Sequence, residues 1–319
     1  MLDHRTVFNT YVMPMTLEAF VEKVRLFNQA SNGAIILNAD SFSGDFRTRA
    51  FFDNVVAAGR RVNRYGPNTD APITSIMDHT ETEVKVAGGF GPVVYEPSEM
   101  TWLNEPTARG IDIAAQSFAD ALLFDQINTA LGAAVGAIRS QPDTVYGDTT
   151  ADLTYRTINL AHARFGAASQ LLQTDFMTGL QYHALIDQNL QNEAVLFEAG
   201  NVRVVSILGK TTVIVDAPAL TDEVNKVSNV LSLVSGAVTV SDSGDLITNV
   251  DTTNGKQRIE TSFQADYTFN LKVKGYSWDT VTGGKSPEDS ELYSGYNWDR
   301  VNKQVITTAG VMAIGKLSV

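Results

Sequence analysis

The hydrophobic residues in the first half of this chain recur at helical spacing. Apolar side chains fall on one face of a segment that begins at Thr16, a suitable helix N-cap, and ends at Asn32-Gly33. A second amphipathic segment covers residues 51–62, and the longest covers residues 107–139. From Ala130 onward this longest segment consists almost entirely of small residues. Small side chains let another backbone approach closely, so we predict that this half is buried against a sheet or a helix.

The second half of the chain mixes helical and strand patterns. Residues 140–152 form a polar stretch that predicts a loop. Helical spacing predicts two more helices, at residues 155–165 and 180–190. Apolar runs predict four strands, at residues 202–207, 211–215, 230–240 and 259–274, of which the last is unusually long. Because the two kinds of element do not alternate regularly, the pattern favours an α+β fold over a doubly wound one.

A two-stranded hairpin is predicted between Thr80 and Pro97. Residues 82–86 alternate polar and apolar, and residues 93–96 form the return. Glycine allows positive φ and proline cannot donate to a ladder, so we place the turn between them, at Gly88, Gly89, Phe90, Gly91 and Pro92. An isolated two-stranded ribbon is only marginally stable in water and needs a surface to lie on. Another copy of the protein would supply that surface, so the pattern indicates assembly rather than catalysis.

Charge is distributed unevenly along the 319 residues, of which 44% are hydrophobic. The net charge of −12 argues against general binding of nucleic acid, because an acidic surface repels phosphates. Residues 1–66 nevertheless carry 8 basic and 6 acidic side chains. We predict that Arg60, Arg61 and Arg64 form ion pairs with a neighbouring copy; ordinary surface charge is the alternative.

The sequence offers little for chemistry. Cysteine is absent, which excludes disulfides and thiolate metal sites. The first residues lack the apolar run of a secretory signal, and no uncharged apolar stretch is long enough for a membrane span, so we expect a cytoplasmic protein.

Gly209-Lys210-Thr211 resembles the end of a phosphate-binding loop, but Val204 stands where that loop needs a glycine. We therefore predict no catalytic residue, no cofactor and no metal.

One alternative is an α+β hydrolase with a site around His162, His183 and Asp187. The commoner explanation for His162 and His183 is that each is a structural histidine, buried or at an interface, whose ring nitrogens are hydrogen-bonded. The two similar pentads at residues 275–279 and 295–299 are expected to be separate turns, each anchored by a buried tryptophan.

Several stretches of the chain resemble the major capsid proteins of tailed bacteriophages, the Hong Kong 97 type of fold. The similarity spans nearly the whole chain and is most specific toward its C-terminal end. The stretches that carry it are residues 85–97, 216–220, 235–238, 254–260, 272–279, 283–288 and 297–299.

This resemblance implies a division of the chain. Residues 1–71 would form an N-terminal arm, and residues 72–104 an extended loop that lies on the adjacent subunit. Residues 105–150 would carry the spine helix of a peripheral domain, and residues 151–258 would form most of an axial domain. Residues 259–319 would return as a long strand and complete both domains. Some members form lysine–asparagine cross-links; Lys85 lies in the part of the extended loop where the resemblance places such a lysine, but no matching acceptor is evident.

The resemblance also implies a function. The chain would assemble through pentamers and hexamers into an icosahedral shell around double-stranded DNA, bound without sequence specificity. Scaffolding, portal and decoration proteins are the implied partners, no membrane is involved, and assembly would take place in the bacterial cytoplasm. Another phage structural subunit, a tail tube or a fibre, is the structural alternative.

Overall fold

The computed structural model describes the chain in segments separated by short gaps. The described residues are 12–37, 44–52, 61, 63–67, 70, 78–95, 108–187, 193–199, 202–207, 210–222, 226–243, 245, 247–255 and 257–316.

Five α-helices are present in the described residues: α1 Met13–Ala30, α2 Ala108–Arg139, α3 Tyr155–His162, α4 Gly179–Asp187 and α5 Asp289–Leu292. The long helix α2 confirms the prediction for residues 107–139, and its small-residue half is buried. Helix α1 ends as predicted, since Asn32 and Gly33 both adopt positive φ. It begins earlier than predicted, so Thr16 lies inside the helix and its hydroxyl donates to the Val12 carbonyl at 2.9 Å.

The strands form two large sheets and one small one. Their bounds are β1 Ile35–Leu37, β2 Phe46–Phe52, β3 Asp78–Tyr95, β4 Val145–Asp152, β5 Leu172–Met177, β6 Glu193–Ala199, β7 Val202–Ile207, β8 Lys210–Val215, β9 Thr221–Asp222, β10 Val227–Val234, β11 Val238–Asp242, β12 Ile247–Thr253, β13 Glu260–Val273, β14 Tyr276–Trp278, β15 Trp298–Arg300 and β16 Gly310–Lys316. The six-stranded sheet has the order β1-β11-β13-β3-β2, with β12 also paired to β13. The eight-stranded sheet has the order β4-β16-β10-β5-β8-β7-β6, with β9 also paired to β10. The predicted α+β class is thereby confirmed.

Helix α2 forms the centre of the core. It contacts α1 and strands of both large sheets, including β11, β13, β10 and β16. By length and composition its segment Ala115–Arg139 is apolar enough to cross a membrane, but 78% of the most apolar window is buried inside the protein. The apolar character of this helix is therefore explained by burial in the protein's own core.

The predicted turn at residues 88–92 is wrong, because β3 runs unbroken from Asp78 to Tyr95. The glycines allow the neighbouring strand β13 to approach closely, and they do not reverse the chain. A Cβ on Gly88 would lie 2.8 Å from the Tyr267 ring, and one on Gly91 would lie 2.5 Å from the Phe263 carbonyl oxygen. The register with β13 shifts between Phe263 and Ala265, so a bulge absorbs the irregular sequence.

Three other local predictions also differ from the structure. Residues 145–152 form the exposed edge strand β4 instead of a loop. The run 230–240 is broken at Gly236, whose φ is +66°, so that β10 and β11 belong to different sheets. The two pentads are not separate turns: β14 pairs with β15, and the buried Trp278 and Trp298 lie opposite each other. Of the amphipathic segment 51–62, the first two residues end β2 and residues 53–60 lie outside the described part.

Candidate assembly interface

A hairpin does exist, but its strands are β2 and β3. Their pairing runs from Phe46 opposite Val84 to Phe52 opposite Asp78. Strand β13 pairs with β3 only from Val84 onward, toward Tyr95. Within the described residues, the part of β3 from Val84 to Tyr95 is therefore an edge strand beside β13, and the part from Asp78 to Val84 forms a ribbon with β2. Residues 53–77 connect the two strands beyond the outermost pair.

Ion pairs join the two strands of this ribbon to each other and its base to the body of the protein. The buried carboxylate of Glu83 lies 2.6 Å from Arg47 Nη2 and 3.3 Å from Arg49 Nε. The Glu81 carboxylate lies 2.7 Å from Lys272 Nζ and accepts a hydrogen bond from the Gly275 backbone N–H at 3.0 Å. Opposite charges that face each other across paired strands stabilise their register. The direction in which the ribbon leaves the body is therefore set by side chains as well as by the backbone ladder.

The segment between β2 and β3 carries exposed residues of the types common in protein interfaces. Arg61 and Arg64 are exposed, and Tyr65 is 99% exposed. The Tyr65 backbone N–H donates to Asn63 Oδ1 at 3.1 Å, which helps to shape the turn at Arg64 and Tyr65. Arginine and tyrosine are enriched in interfaces, whereas a fully exposed tyrosine gains nothing from its ring in a monomer. Arg60 lies outside the described residues.

The residues predicted to form a loop tip lie at the edge of the six-stranded sheet instead, with Phe90 on its core side. Lys85 Nζ lies 3.6 Å from Asp245 Oδ2 of the same chain. The Phe90 ring packs 5.6 Å from the ring of Tyr267, while Gly89, Gly91 and Pro92 are exposed. An inter-subunit role for these residues, and for Gly88 between them, stays a prediction. In that role they would be part of a surface that receives a neighbour.

An open groove of about 820 Å³ lies over this part of β3. It is lined by Ala87, Gly88, Gly89, Asp245, Ile247, Asp266, Tyr267 and Thr268. From the sequence, Asp245 was interpreted only as part of a solvated acidic loop and Asp266 was missed, because nothing in the alternation of β13 or in the loop after β11 shows that these carboxylates flank the same glycines. Only the register of β3 against β13 brings them together.

Beneath the groove, a half-buried carboxyl joins α2 to β13. Tyr267 Oη donates to Asp125 Oδ2 at 2.5 Å. Burial raises the pKa of Asp125 above its ordinary value of 3.8; the Tyr267 hydrogen bond opposes this effect, and the negative charge of Asp289 adds to it. Burial and the neighbouring Asp125 also raise the pKa of Tyr267. The tyrosine therefore stays a donor at neutral pH.

We expect Asp125→Asn to unfold at a higher temperature than the unsubstituted protein at about pH 7, and the difference to shrink toward about pH 4. The folded-state pKa is raised, so folding favours the protonated carboxyl, and stability is lost as the pH rises through that pKa. Asparagine removes the buried charge and keeps an oxygen that accepts from Tyr267. Thermal unfolding of both proteins across this pH range is the measurement.

The control for this comparison is Asp112→Asn, which changes an exposed carboxylate on the same helix. It should follow the unsubstituted protein at every pH. An Asp125→Asn protein that is less stable at neutral pH and equally stable in acid would show that the charged carboxylate strengthens the fold.

The structure also describes the proposed hydrolase residues. His162 is buried, and its Nε2 contacts both Asp175 Oδ1 at 3.0 Å and Ser232 Oγ at 2.8 Å, while Nδ1 lies 3.1 Å from Lys210 Nζ. A catalytic triad needs the carboxylate on one ring nitrogen and the hydroxyl on the other. His162 therefore ties α3 to β5, β8 and β10 as a structural residue.

The remaining members of the hydrolase alternative do not complete a site around His162. His183 is exposed on α4, and the side chain of Asp187 lies outside the described part. Within the segments that the structure describes, no three His, Asp or Glu side chains are grouped so as to hold a metal ion.

Comparison with known proteins assigns the chain to a class. The family model of the major capsid protein 13-like proteins matches residues 5–312, so the chain belongs to that family. It is a phage major capsid protein, and it associates with copies of itself to form the shell of a virion. The recognition made from the sequence is confirmed by this match.

Solved phage capsids show a weaker similarity. The capsid of cyanophage Pam1 is 11% identical with a TM-score of 0.48, over 88% of this chain and 87% of that chain. The head of Helicobacter pylori bacteriophage KHP40 is 12% identical with a TM-score of 0.49, over 91% and 89%. A structure of Mycobacterium phage Cain is 12% identical with a TM-score of 0.45, over 90% and 89%. No curated protein matches the chain.

Proposed function

We propose that the chain builds the icosahedral head shell of a tailed phage, of the Hong Kong 97 type, around packaged double-stranded DNA. The observation that carries this proposal is the β2–β3 ribbon, which continues beyond Val84, where β13 stops pairing with β3, and whose connecting segment carries the exposed Arg61, Arg64 and Tyr65. A closed shell needs heterologous contacts that repeat around rings of five and six copies. Ribbons that overlap a neighbour supply such contacts without a broad flat interface.

The extended loop of this proposal is the ribbon together with residues 53–77, rather than residues 72–104. The six-stranded sheet and α2 correspond to the peripheral domain, and the eight-stranded sheet to the axial domain. Since β11 and β12 belong to the six-stranded sheet, we place residues 238–253 in the peripheral domain rather than in the axial one. Of residues 1–71, which were predicted to form the N-terminal arm, we keep only the residues before α1 in that role, because α1 packs on α2 and strands β1 and β2 belong to the six-stranded sheet.

The proposed role is structural and involves no catalysis. Scaffolding, portal and decoration proteins are the proposed partners, with assembly in the cytoplasm of the host. The net charge of −12 suits a shell that holds DNA without binding it tightly.

Electron microscopy of the expressed chain, with its scaffolding protein if one is needed, tests this proposal. We expect closed shells. Tubes or trimeric fibres would favour the tail alternative, and a chain that stays monomeric under both conditions would contradict the proposal.

A further inference from the structure

A cluster of polar side chains lies on one face of the eight-stranded sheet, under the end of α3. Strand register places Ser232 of β10 directly opposite Asp175 of β5, and Asp175 opposite Thr212 of β8. Lys210 is two residues before Thr212 on the same strand, so it shares their face. His162, the last residue of α3, is only 6% exposed, and its ring contacts three of these side chains. The cluster therefore joins one helix to three strands.

The contacts of the His162 ring define where its proton lies. Nδ1 lies 3.1 Å from the Lys210 ammonium nitrogen. An ammonium has three donors and no acceptor, so Nδ1 is the accepting nitrogen of a neutral imidazole. The ring proton is then on Nε2, which donates to Asp175 Oδ1 at 3.0 Å and lies 2.8 Å from Ser232 Oγ. A carboxylate, a neutral ring and a cation thus follow one another in a row.

Lys210 is held by this contact. Its side chain is half-buried, and the hydrogen bond that the structure shows for its ammonium, within the described residues, is the one to His162. The ladder between β7 and β8 ends with Lys210 opposite Ile207, beside the turn that joins the two strands. The imidazole therefore holds this end of the β7–β8 pair against α3, through a hydrogen bond that requires an unprotonated Nδ1.

The other titratable groups near the cluster do not take part in this bond. Tyr155, on the same helix, has its pKa raised by burial and by the negative charge of Asp175, so it stays uncharged at neutral pH. The remaining charged side chains on α3, and on β4, β16 and the 3₁₀ helix that contact it, are exposed: Arg156, Arg164, Asp148, Asp152 and Lys316. Histidine is the one side chain in the cluster whose charge ordinarily changes between about pH 5 and pH 8.

We propose that His162 is a proton-sensitive switch that holds the β7–β8 turn to α3 at neutral pH and releases it in acid. A proton added to Nδ1 would place two cations 3.1 Å apart, so Lys210 leaves. The imidazolium keeps Asp175 and binds it more strongly, because both partners are then charged. Acid therefore exchanges one contact of the ring for a stronger other one, and a return to neutral pH reverses the change.

The switch belongs to the single chain, so it can be tested whether or not shells form. Nitrogen NMR of histidine-labelled protein, in solution or in the solid state, tests the protonation step. The chain has four histidines, and the His162 signal is assigned by its absence from His162→Asn. We expect a neutral ring with its proton on Nε2 at about pH 7.5 and an imidazolium at about pH 5. A proton on Nδ1 at the higher pH, or a ring in the same state at both, would overturn the proposal.

Hydrogen exchange tests the release of the β7–β8 turn. We expect the protection factors of amides in residues 205–207 and 210–213 to fall about tenfold between about pH 7.5 and pH 5, because a hydrogen bond to a charged group is lost. Protection factors already exclude the intrinsic pH dependence of exchange. His162→Asn keeps an oxygen near the position of Nδ1 but cannot take up a proton, so its protection in these residues should not change with pH.

Two further variants complete the comparison. Lys210→Met keeps an apolar stem and removes the ammonium, so it should also lose the pH response, and it serves if His162→Asn does not fold. His183→Asn changes an exposed histidine on α4 and should respond like the unsubstituted protein. A tenfold fall that persists in Lys210→Met, or constant protection in the unsubstituted protein, would overturn the switch and leave the proposed shell function untouched.

Discussion

Gly136→Ala is expected to destabilise the protein by about 2–3 kcal/mol, even though alanine favours helix over glycine by up to about 1 kcal/mol. A Cβ at this position of α2 would lie 2.6 Å from the Leu292 carbonyl oxygen and 2.8 Å from that of Tyr293. These atoms belong to the backbone and cannot move aside cheaply. Chemical denaturation of the purified protomer measures the change.

Gly132→Ala tests the same contact between α2 and residues 292–295 one helical turn earlier, where the added Cβ would clash with a side chain. Its Cβ would lie 1.5 Å from Cε1 of the Tyr293 ring, so the ring would have to leave its place. We expect a loss of similar size that the added Tyr293→Ala partly reverses, whereas Tyr293→Ala should not rescue Gly136→Ala. Gly179→Ala is the control, because its Cβ meets Asp216 only at an ordinary 3.5 Å. Normal stability of both α2 variants would show that residues 292–295 do not pack tightly on this helix.

Replacing residues 53–77 by a two-residue Asn-Gly turn is expected to give a folded protomer that forms no shells. The base of the ribbon stays intact, because Arg47, Arg49, Glu81 and Glu83 are all retained. Asn-Gly suits a tight turn between antiparallel strands such as β2 and β3. What is lost is the segment that carries Arg61, Arg64 and Tyr65. Circular dichroism and thermal unfolding check the fold, and electron microscopy checks assembly.

The control for this truncation keeps the native length and replaces only Arg61, Arg64 and Tyr65 by serine. It should fold normally and assemble poorly, which separates the contacts from the length of the segment. Shells of normal stability from the truncated chain would show that residues 53–77 do not join subunits. Removal of residues 83–95, by contrast, should abolish folding, because it deletes the part of β3 that holds the buried Val84 and Val86.

Long apolar elements were predictable from the sequence. The apolar residues of strand β13 alternate regularly, and helix α2 is a long run of apolar and small residues that is buried on nearly all sides in its second half, so both received nearly correct bounds. The burial of the small-residue half of α2 followed from side-chain size alone. Strand β3 was mispredicted because a glycine cluster has two possible structural roles. It can reverse the chain in a turn, or it can leave room in a strand for a neighbouring side chain. Only the position of the Tyr267 ring over Gly88 distinguishes them.

The candidate interface was less predictable than the fold. The arginines near residue 60 were identified from local charge, but the carboxylates of the groove become neighbours only through strand register. One sequence signal for the ribbon was overlooked. Arg47 and Arg49, at every second position, match Glu83 and Glu81 at the same spacing, which is the pattern of a charged antiparallel pair. Such a pair would have placed the hairpin between residues 52 and 78.

The structure of the assembled shell by cryo-electron microscopy tests the account most directly. We predict that residues 53–77 of each copy contact a neighbouring subunit. Shells in which this segment folds back onto its own protomer would contradict the account.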